Sequence, residues 1–215
     1  GSTDSSPAAM RELATREPGL RVIERASNGG KGAAVLTAAE QARAEGYTHA
    51  LVMDADGQHP ADRIPDFMAA SRTRPDALIL GRPVFGPEAP QVRLQGRKLS
   101  VALVRLEILG AGIDDPLFGF RDNPLQPLVE LRRSTRGARR YDFDPAVAVR
   151  LFWCGVPTLN LPATCCYRAK NEGGVSHFHY VRDNARMVAL HTRLLLELVL
   201  WRWLQVRRVR RAAAS

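Results

Sequence analysis

Asp54 and Asp56 stand two residues apart at the end of an apolar run, Ala50 to Met53, and are followed by Gly57, Gln58, His59 and Pro60. Two carboxylates at that spacing offer hard oxygen ligands suited to Mg²⁺ or Mn²⁺ shared with the phosphates of a substrate. Gln58 adds a neutral oxygen two residues on. The alternative is a polar loop whose aspartates cap the next helix. Other residues suit anions. Lys31 follows Asn28-Gly29-Gly30 and opens a helical segment, where free backbone N–H groups already favour negative charge. Arg82 leaves an apolar stretch and is placed to meet a diphosphate. Arg93 and Arg97 lie one helical turn apart, and their mutual repulsion would be relieved by an anion between them.

The elements that must position these groups alternate in type. Ser6-Pro7 opens a helix to about Arg16, with serine as N-cap and proline in the first turn. Leu20 to Glu24 reads as a short strand. Lys31 to Glu45 reads as an alanine-rich helix stopped by Gly46, with Gly32, Ala33 and Ala34 small enough for close packing on a sheet. The run before Asp54 reads as a buried strand, and ligands of open α/β sheets bind beyond the carboxyl ends of strands. Ala61 to Arg74 is helical, with Ile64, Phe67 and Met68 on one face. Asp76 to Leu80 is the next strand, which Gly81-Arg82-Pro83 leaves. Gln91 to Leu109 is a helix, and so is Leu125 to Arg133. Asp144 and Pro145 read as N-cap and first residue of a helix through Trp153. Val156 to Tyr167, with Pro157 and Pro162, suits an edge strand. Tyr180 to Val206 reads as one long helix.

Four motifs in order carry a family resemblance: Asn28-Gly29-Gly30-Lys31-Gly32-Ala33-Ala34, Asp54-Ala55-Asp56-Gly57-Gln58-His59, Gly81-Arg82, and Asp115-Pro116-Leu117-Phe118-Gly119-Phe120-Arg121. The chain resembles the family 2 glycosyltransferases, especially the branch acting on dolichyl and polyprenyl phosphates. The resemblance implies an α/β, Rossmann-like GT-A nucleotide-sugar fold with a mostly parallel sheet. It implies inverting, metal-dependent transfer of a sugar from a nucleotide diphosphate donor to a lipid-linked acceptor, a polyprenyl phosphate or a glycolipid. Asp54, Asp56 and Gln58 then hold Mg²⁺ or Mn²⁺, while Lys31, Arg82, Arg97 and Arg168 face the phosphates. Asp115 matches the aspartate near the acceptor. A hydroxyl acceptor needs a carboxylate to take its proton, whereas a phosphate acceptor is already an anion, so Asp115 is either base or orienting group. Two departures are visible. The family's R-x-x-G-x-S is stretched here, from Arg168 to Gly173-Gly174-Val175-Ser176-His177, and its F-x-x-E is replaced by Phe143-Asp144, which leaves Asp144 a cap. Gly1-Ser2-Thr3-Asp4 matches the end of the family's D-D-G-S-T-D, so the chain reads as a fragment beginning after the first strands. The alternative is that Gly1-Ser2 is a cloning remnant.

The formal charge of +9 points to an anionic partner: nucleotide diphosphate, anionic membrane or nucleic acid. No basic stripe with interleaved aromatics runs through the body of the chain, so nucleic acid is not expected. Cys154, Cys165 and Cys166 lack metal spacing and read as reduced thiols. His177 and His179 have no third partner in sequence. The chain divides into a GT-A domain, residues 1–177, and an amphipathic helix with a basic tail, residues 178–215. Arg193, Glu197 and Arg202 interrupt the helix's apolar residues, so no uncharged run approaches the ~18 residues a spanning helix needs. Leu194, Leu195, Leu198, Trp201 and Leu204, followed by Arg207, Arg208, Arg210 and Arg211, suit the headgroup layer of an anionic membrane, here its inner, cytoplasmic face. The competing functions are a nucleotidyltransferase, which would want a glycine-rich basic loop after its first strand, and a binding module without turnover.

Overall fold

In the computed structural model, which describes residues 1–87, 89, 91–131, 135, 137–165 and 180–212, β2 (Leu78–Phe85) is the central element. Its side chains alternate between two apolar layers, as the pleat requires. Leu78 and Leu80 join the larger core with Val104, Ile108, Val149 and Trp153, while Ile79 joins the smaller one with Phe67, Phe118 and Phe120. Burial on both faces is why this stretch is uniformly apolar.

The sheet runs β1 (His49–Val52), β3 (Arg121–Pro124), β2, β4 (Thr158–Cys165). β1 pairs with β3 antiparallel from His49↔Pro124 to Val52↔Arg121, and β3 pairs with β2 antiparallel at Ile79↔Asp122 and Leu80↔Arg121. β2 pairs with β4 in parallel along its whole length, from Leu78↔Thr158 to Phe85↔Cys165. Three strands therefore share one direction, and β3 runs against them between β1 and β2. Gly81, Arg82 and Pro83 do not leave the strand as expected; they extend it. β3 ends its pairing at Leu80, and the Gly81 N–H still donates to the Phe120 carbonyl at 3.0 Å; beyond Gly81 no described strand pairs with that edge of β2, which tolerates a proline with no N–H. β4 is the outer strand, which suits Pro162.

The helices fall close to their expected bounds: α1 (Ser6–Arg16), α2 (Lys31–Ala44), α3 (Ile64–Thr73, after a 3₁₀ turn Ala61–Arg63), α4 (Gln91–Glu107), α5 (Leu125–Glu130) and α6 (Phe143–Trp153). Gly32 and Ala33 are buried; a Cβ on Gly32 would lie 2.3 Å from the Phe143 ring. Ala34, expected with them, faces outward, and so does Met68, while Phe67 is fully buried. Residues 20–24 form no strand, because no neighbouring strand lies beside them among the described residues.

The C-terminal segment is α7 (Tyr180–Glu197), a π turn (Leu198–Arg202) and α8 (Trp203–Ala212). Its apolar residues divide. Leu190, Leu194, Leu198 and Val206 are buried in the larger core, so Leu194 and Leu198 are not part of an outward surface. Leu196, Val199, Leu200, Trp201 and Leu204 are exposed. Polar fastenings explain the charges that interrupt the helix: Arg150 donates to Glu197, Arg193 donates to the same carboxylate at 2.9 Å, and His191 Nδ1 lies 2.7 Å from the buried Glu107. Arg210 reaches the carbonyl of Ala111 beyond α4. Among the described residues, no helix is long and apolar enough to cross a membrane.

Candidate active site

Asp54 lies two residues beyond β1, at the carboxyl end of the strand. Its backbone N–H donates to His59 Nδ1 at 2.9 Å, which folds the loop back on itself. The His59 ring is wedged edge-on against Phe118, centroids 4.8 Å apart, and lies near Phe120. Burial lowers the affinity of His59 for a second proton, so the ring is neutral and Nδ1 accepts. The Asp54 carboxylate faces Lys31, whose Nζ is 2.8 Å from Oδ1 and donates to Oδ2 at 2.9 Å. Lys31 also donates to Asp144 Oδ2 at 2.9 Å. Arg121 completes the group: its Nη1 donates to the Asp144 carbonyl at 2.9 Å, and its guanidinium lies 3.7 Å from Asp144 Oδ1. Burial alone would lower Lys31, but the charges of Asp144 and Asp54 outweigh it and raise Lys31 above the usual lysine range. Burial likewise pushes Asp144 up, yet Lys31 and Arg121 hold its carboxyl below the usual carboxylate range.

Gly119 shows how tightly this group is built. A Cβ there would come 2.3 Å from Lys31 Nζ and 2.8 Å from Asp54 Oδ2, so any larger residue would have to displace the ammonium and carboxylate from their contact. Asp56 differs from Asp54. It is exposed, and its Oδ1 accepts the Gln58 N–H at 3.0 Å within its own loop. Gln58 is half-buried beside it.

The donor set suits a hard dication only in part. Two carboxylates and an amide oxygen at a solvent-facing strand end provide oxygen ligands without closing a shell, and Mg²⁺ or Mn²⁺ commonly completes its shell with water and substrate phosphate. Among the described residues, no group of three or more His, Cys, Asp or Glu is arranged to hold a metal unaided.

A second cluster lies on the Asp115 loop. Asp115 Oδ1 accepts the N–H groups of Leu117 at 2.8 Å and Phe118 at 3.0 Å, and Oδ2 accepts from Arg97 Nε. Arg97 also lies over the Phe85 ring, 5.2 Å from its centroid. Arg82, exposed on β2, stands 3.9 Å from Asp114. Asn160 on β4 anchors the loop by accepting from Asp114 N–H at 3.1 Å and donating to the Gly112 carbonyl at 3.0 Å. Arg121 ties this cluster to the first, because its Nη2 donates to the carbonyls of Pro116 and Phe118.

Of the sequence-predicted residues, Lys31 and Asp54 are in direct contact, as are Arg97 and Asp115, with Asp56 and Gln58 on the same loop as Asp54. Arg168, Cys166, His177 and His179 lie outside the described residues, and so does the side chain of Arg93. Asp144 does not cap its helix. Asp142 holds that position, and Asp144 turns inward to Lys31. Asp144, Arg121 and His59 were not picked out from sequence, though the last two sit inside quoted motifs.

The sequence profile of Glycosyl transferase family 2 matches residues 1–126, more than half of the chain. The chain belongs to glycosyl transferase family 2. The matched span holds both aspartate loops but not Asp144. A polyprenol monophosphomannose synthase of Mycolicibacterium smegmatis is 31% identical over 180 residues, which are 82% of this chain and 66% of that protein. An undecaprenyl-phosphate mannosyltransferase of Micrococcus luteus is 26% identical over 179 residues, 80% of this chain and 73% of its own. The chain thus spans about two thirds of the first relative. Among solved structures, a glucosyl-3-phosphoglycerate synthase from Mycobacterium tuberculosis, crystallised with Mn²⁺, UDP-glucose and phosphoglyceric acid, superposes with a TM-score of 0.55 at 21% identity. It covers 89% of this chain and 66% of that one, and the two share the GT-A architecture expected from the motifs.

Proposed function

We propose that the protein transfers a sugar, mannose by similarity to its two mannosyl-transferring relatives, from a nucleoside diphosphate to a polyprenyl phosphate at the inner face of the membrane. The observation that carries the acceptor class is the state of Asp115. That carboxylate is 5% exposed, and both its oxygens are engaged, one by two backbone N–H groups and the other by Arg97. A carboxylate held by two backbone N–H groups and a guanidinium is fixed in place as a counter-charge to that guanidinium. Asp115 therefore orients Arg97, and Arg97 receives an anionic acceptor, which needs no general base.

On the donor side, Asp54, Asp56 and Gln58 hold Mg²⁺ or Mn²⁺ with the donor's diphosphate, as the donor set allows. Such an ion supplies charge neutralisation to the departing diphosphate. Lys31 and Arg82 add positive charge beside the same phosphates, whose negative charge grows as the glycosidic bond breaks. Gly119 lets the Asp115 turn approach Asp54 closely, and His59 fixes the Asp54 backbone. On the membrane side, Leu196, Val199, Leu200, Trp201 and Leu204 with Arg207, Arg208 and Arg211 form the outward surface suited to an anionic bilayer. Calorimetry of nucleoside diphosphate binding, with Mn²⁺ and after chelation, tests the donor side. Binding should need the metal and be lost in Asp56→Ala; affinity unchanged by either treatment would overturn the metal assignment.

A further inference from the structure

Lys31 is engaged more fully than a phosphate-binding lysine needs to be. One ammonium spans both oxygens of Asp54, at 2.8 and 2.9 Å, and holds Asp144 at 2.9 Å. The Gly119 backbone closes another side, since even a Cβ there would meet Nζ at 2.3 Å. With Arg121 beside Asp144, two cations balance two carboxylates in this group. Asp56, by contrast, has no ion pair with a described residue. Among the described residues, a divalent cation arriving alone thus meets only the unbalanced charge of Asp56, and finds both oxygens of Asp54 facing the Lys31 ammonium.

We infer that Lys31 competes with the divalent cation for Asp54, so that the cation enters together with the donor diphosphate and not ahead of it. The inference rests on the assignment of Asp54 and Asp56 as cation ligands. The diphosphate changes the balance in two ways. It supplies the oxygens and negative charge that the chain alone does not, and it offers the Lys31 ammonium a new partner as Asp54 turns to the ion. Asp144 keeps Lys31 tethered throughout, so the ammonium moves between anions without entering solvent. Metal and diphosphate then strengthen one another's binding by the same factor, as linkage requires.

Mn²⁺ alone is the probe, titrated against the full chain and followed by calorimetry and by the electron paramagnetic resonance signal of the free ion. Lys31→Met should bind Mn²⁺ at least roughly tenfold tighter than the native chain, because a unit charge against the ligand is removed. Lys31→Arg, which keeps the charge, should stay at the native affinity. Arg74→Met, which removes an equal charge from beside Asp76 before β2, away from the strand ends that carry the site, should change little. Equal affinity in the native chain and Lys31→Met, undetectable binding in both included, would overturn the competition. So would a gain in Arg74→Met as large as that in Lys31→Met. Asp56→Asn placed in the Lys31→Met background separates this inference from the assignment beneath it. Loss of the tight binding supports both, whereas persistence of the binding overturns the ligand assignment itself. Binding that depends on Asp56 but not on Lys31 overturns only the competition. Should Lys31→Met fail to fold, the ¹⁵N resonance of the native Lys31 ammonium serves instead. Mg²⁺ with inorganic pyrophosphate should shift it and Mg²⁺ alone should not; a shift with Mg²⁺ alone overturns the inference.

Discussion

The Asp54 loop and the Asp115 loop each present paired carboxylates beside basic residues, yet the chain treats them differently. Asp115 is buried, and both its oxygens are engaged, by two backbone N–H groups and Arg97. Asp54 is half-exposed and bound by the side-chain ammonium of Lys31, and Asp56 is open to solvent, its one hydrogen bond among the described residues made within its own loop. The role of an aspartate follows from what its oxygens already hold. One whose partners are backbone and a packed guanidinium is fixed in place. One whose partner is a side-chain ammonium at a solvent-facing strand end can exchange it for an ion and a substrate.

Substitutions sharpen or break that contrast. The largest effect should come from Asp144→Ala. It removes the buried carboxylate between Lys31 and Arg121 and leaves a buried cation unpaired, which costs about 3–5 kcal/mol in denaturant unfolding. A loss below about 1 kcal/mol would show that the group is loosely held. The pH dependence has a definite sign. Asp144 is held below its ordinary range in the folded chain, so the unfolded chain takes up the proton first as pH falls. The contribution of Asp144 is thus complete at neutral pH and disappears as pH drops through the depressed folded value.

The same inward–outward distinction divides the C-terminal helix. Leu198→Ala should cost about 2–5 kcal/mol as a core cavity. Trp201→Ala, at 77% exposure, should stay within about 0.5 kcal/mol yet weaken cosedimentation with anionic liposomes. Liposome binding equal to that of the native chain would remove Trp201 from the membrane surface.

Asp115→Asn retains one acceptor for the backbone but leaves Arg97 without its counter-charge, at about 1–3 kcal/mol. Asp56→Ala should have the smallest effect on stability, within about 0.5 kcal/mol. A thermal melt showing a large loss for Asp56→Ala and none for Asp115→Asn would reverse the roles assigned to the two loops.

Much of this was legible in the sequence because the determinants are local. The apolar run ending at Asp54, the small residues Gly32 and Ala33, and the prolines of an outer strand each predict their own surroundings. What was missed depends on distant neighbours. Asp144 reads as a helix cap beside Pro145, and only the folded chain brings it to Lys31, 113 residues away. Gly81-Arg82-Pro83 reads as the end of a strand, and β4 on one side alone makes it a continuation. Leu194 and Leu198 have the spacing of a membrane-facing row, but the same spacing serves the core formed with α4 and α6. A strand at 20–24 was expected from composition, yet a strand exists only where a partner lies beside it.

The claim with the most consequence is that Asp115 orients Arg97 toward an anionic acceptor and is not a base. Parallel reactions of the complete protein with a nucleoside diphosphate mannose, one offered polyprenyl phosphate and the other the corresponding uncharged polyprenol, test it by mass spectrometry of the products. Mannosyl product is expected from the phosphate alone. Comparable product from the polyprenol, abolished by Asp115→Asn, would contradict it and make Asp115 the base.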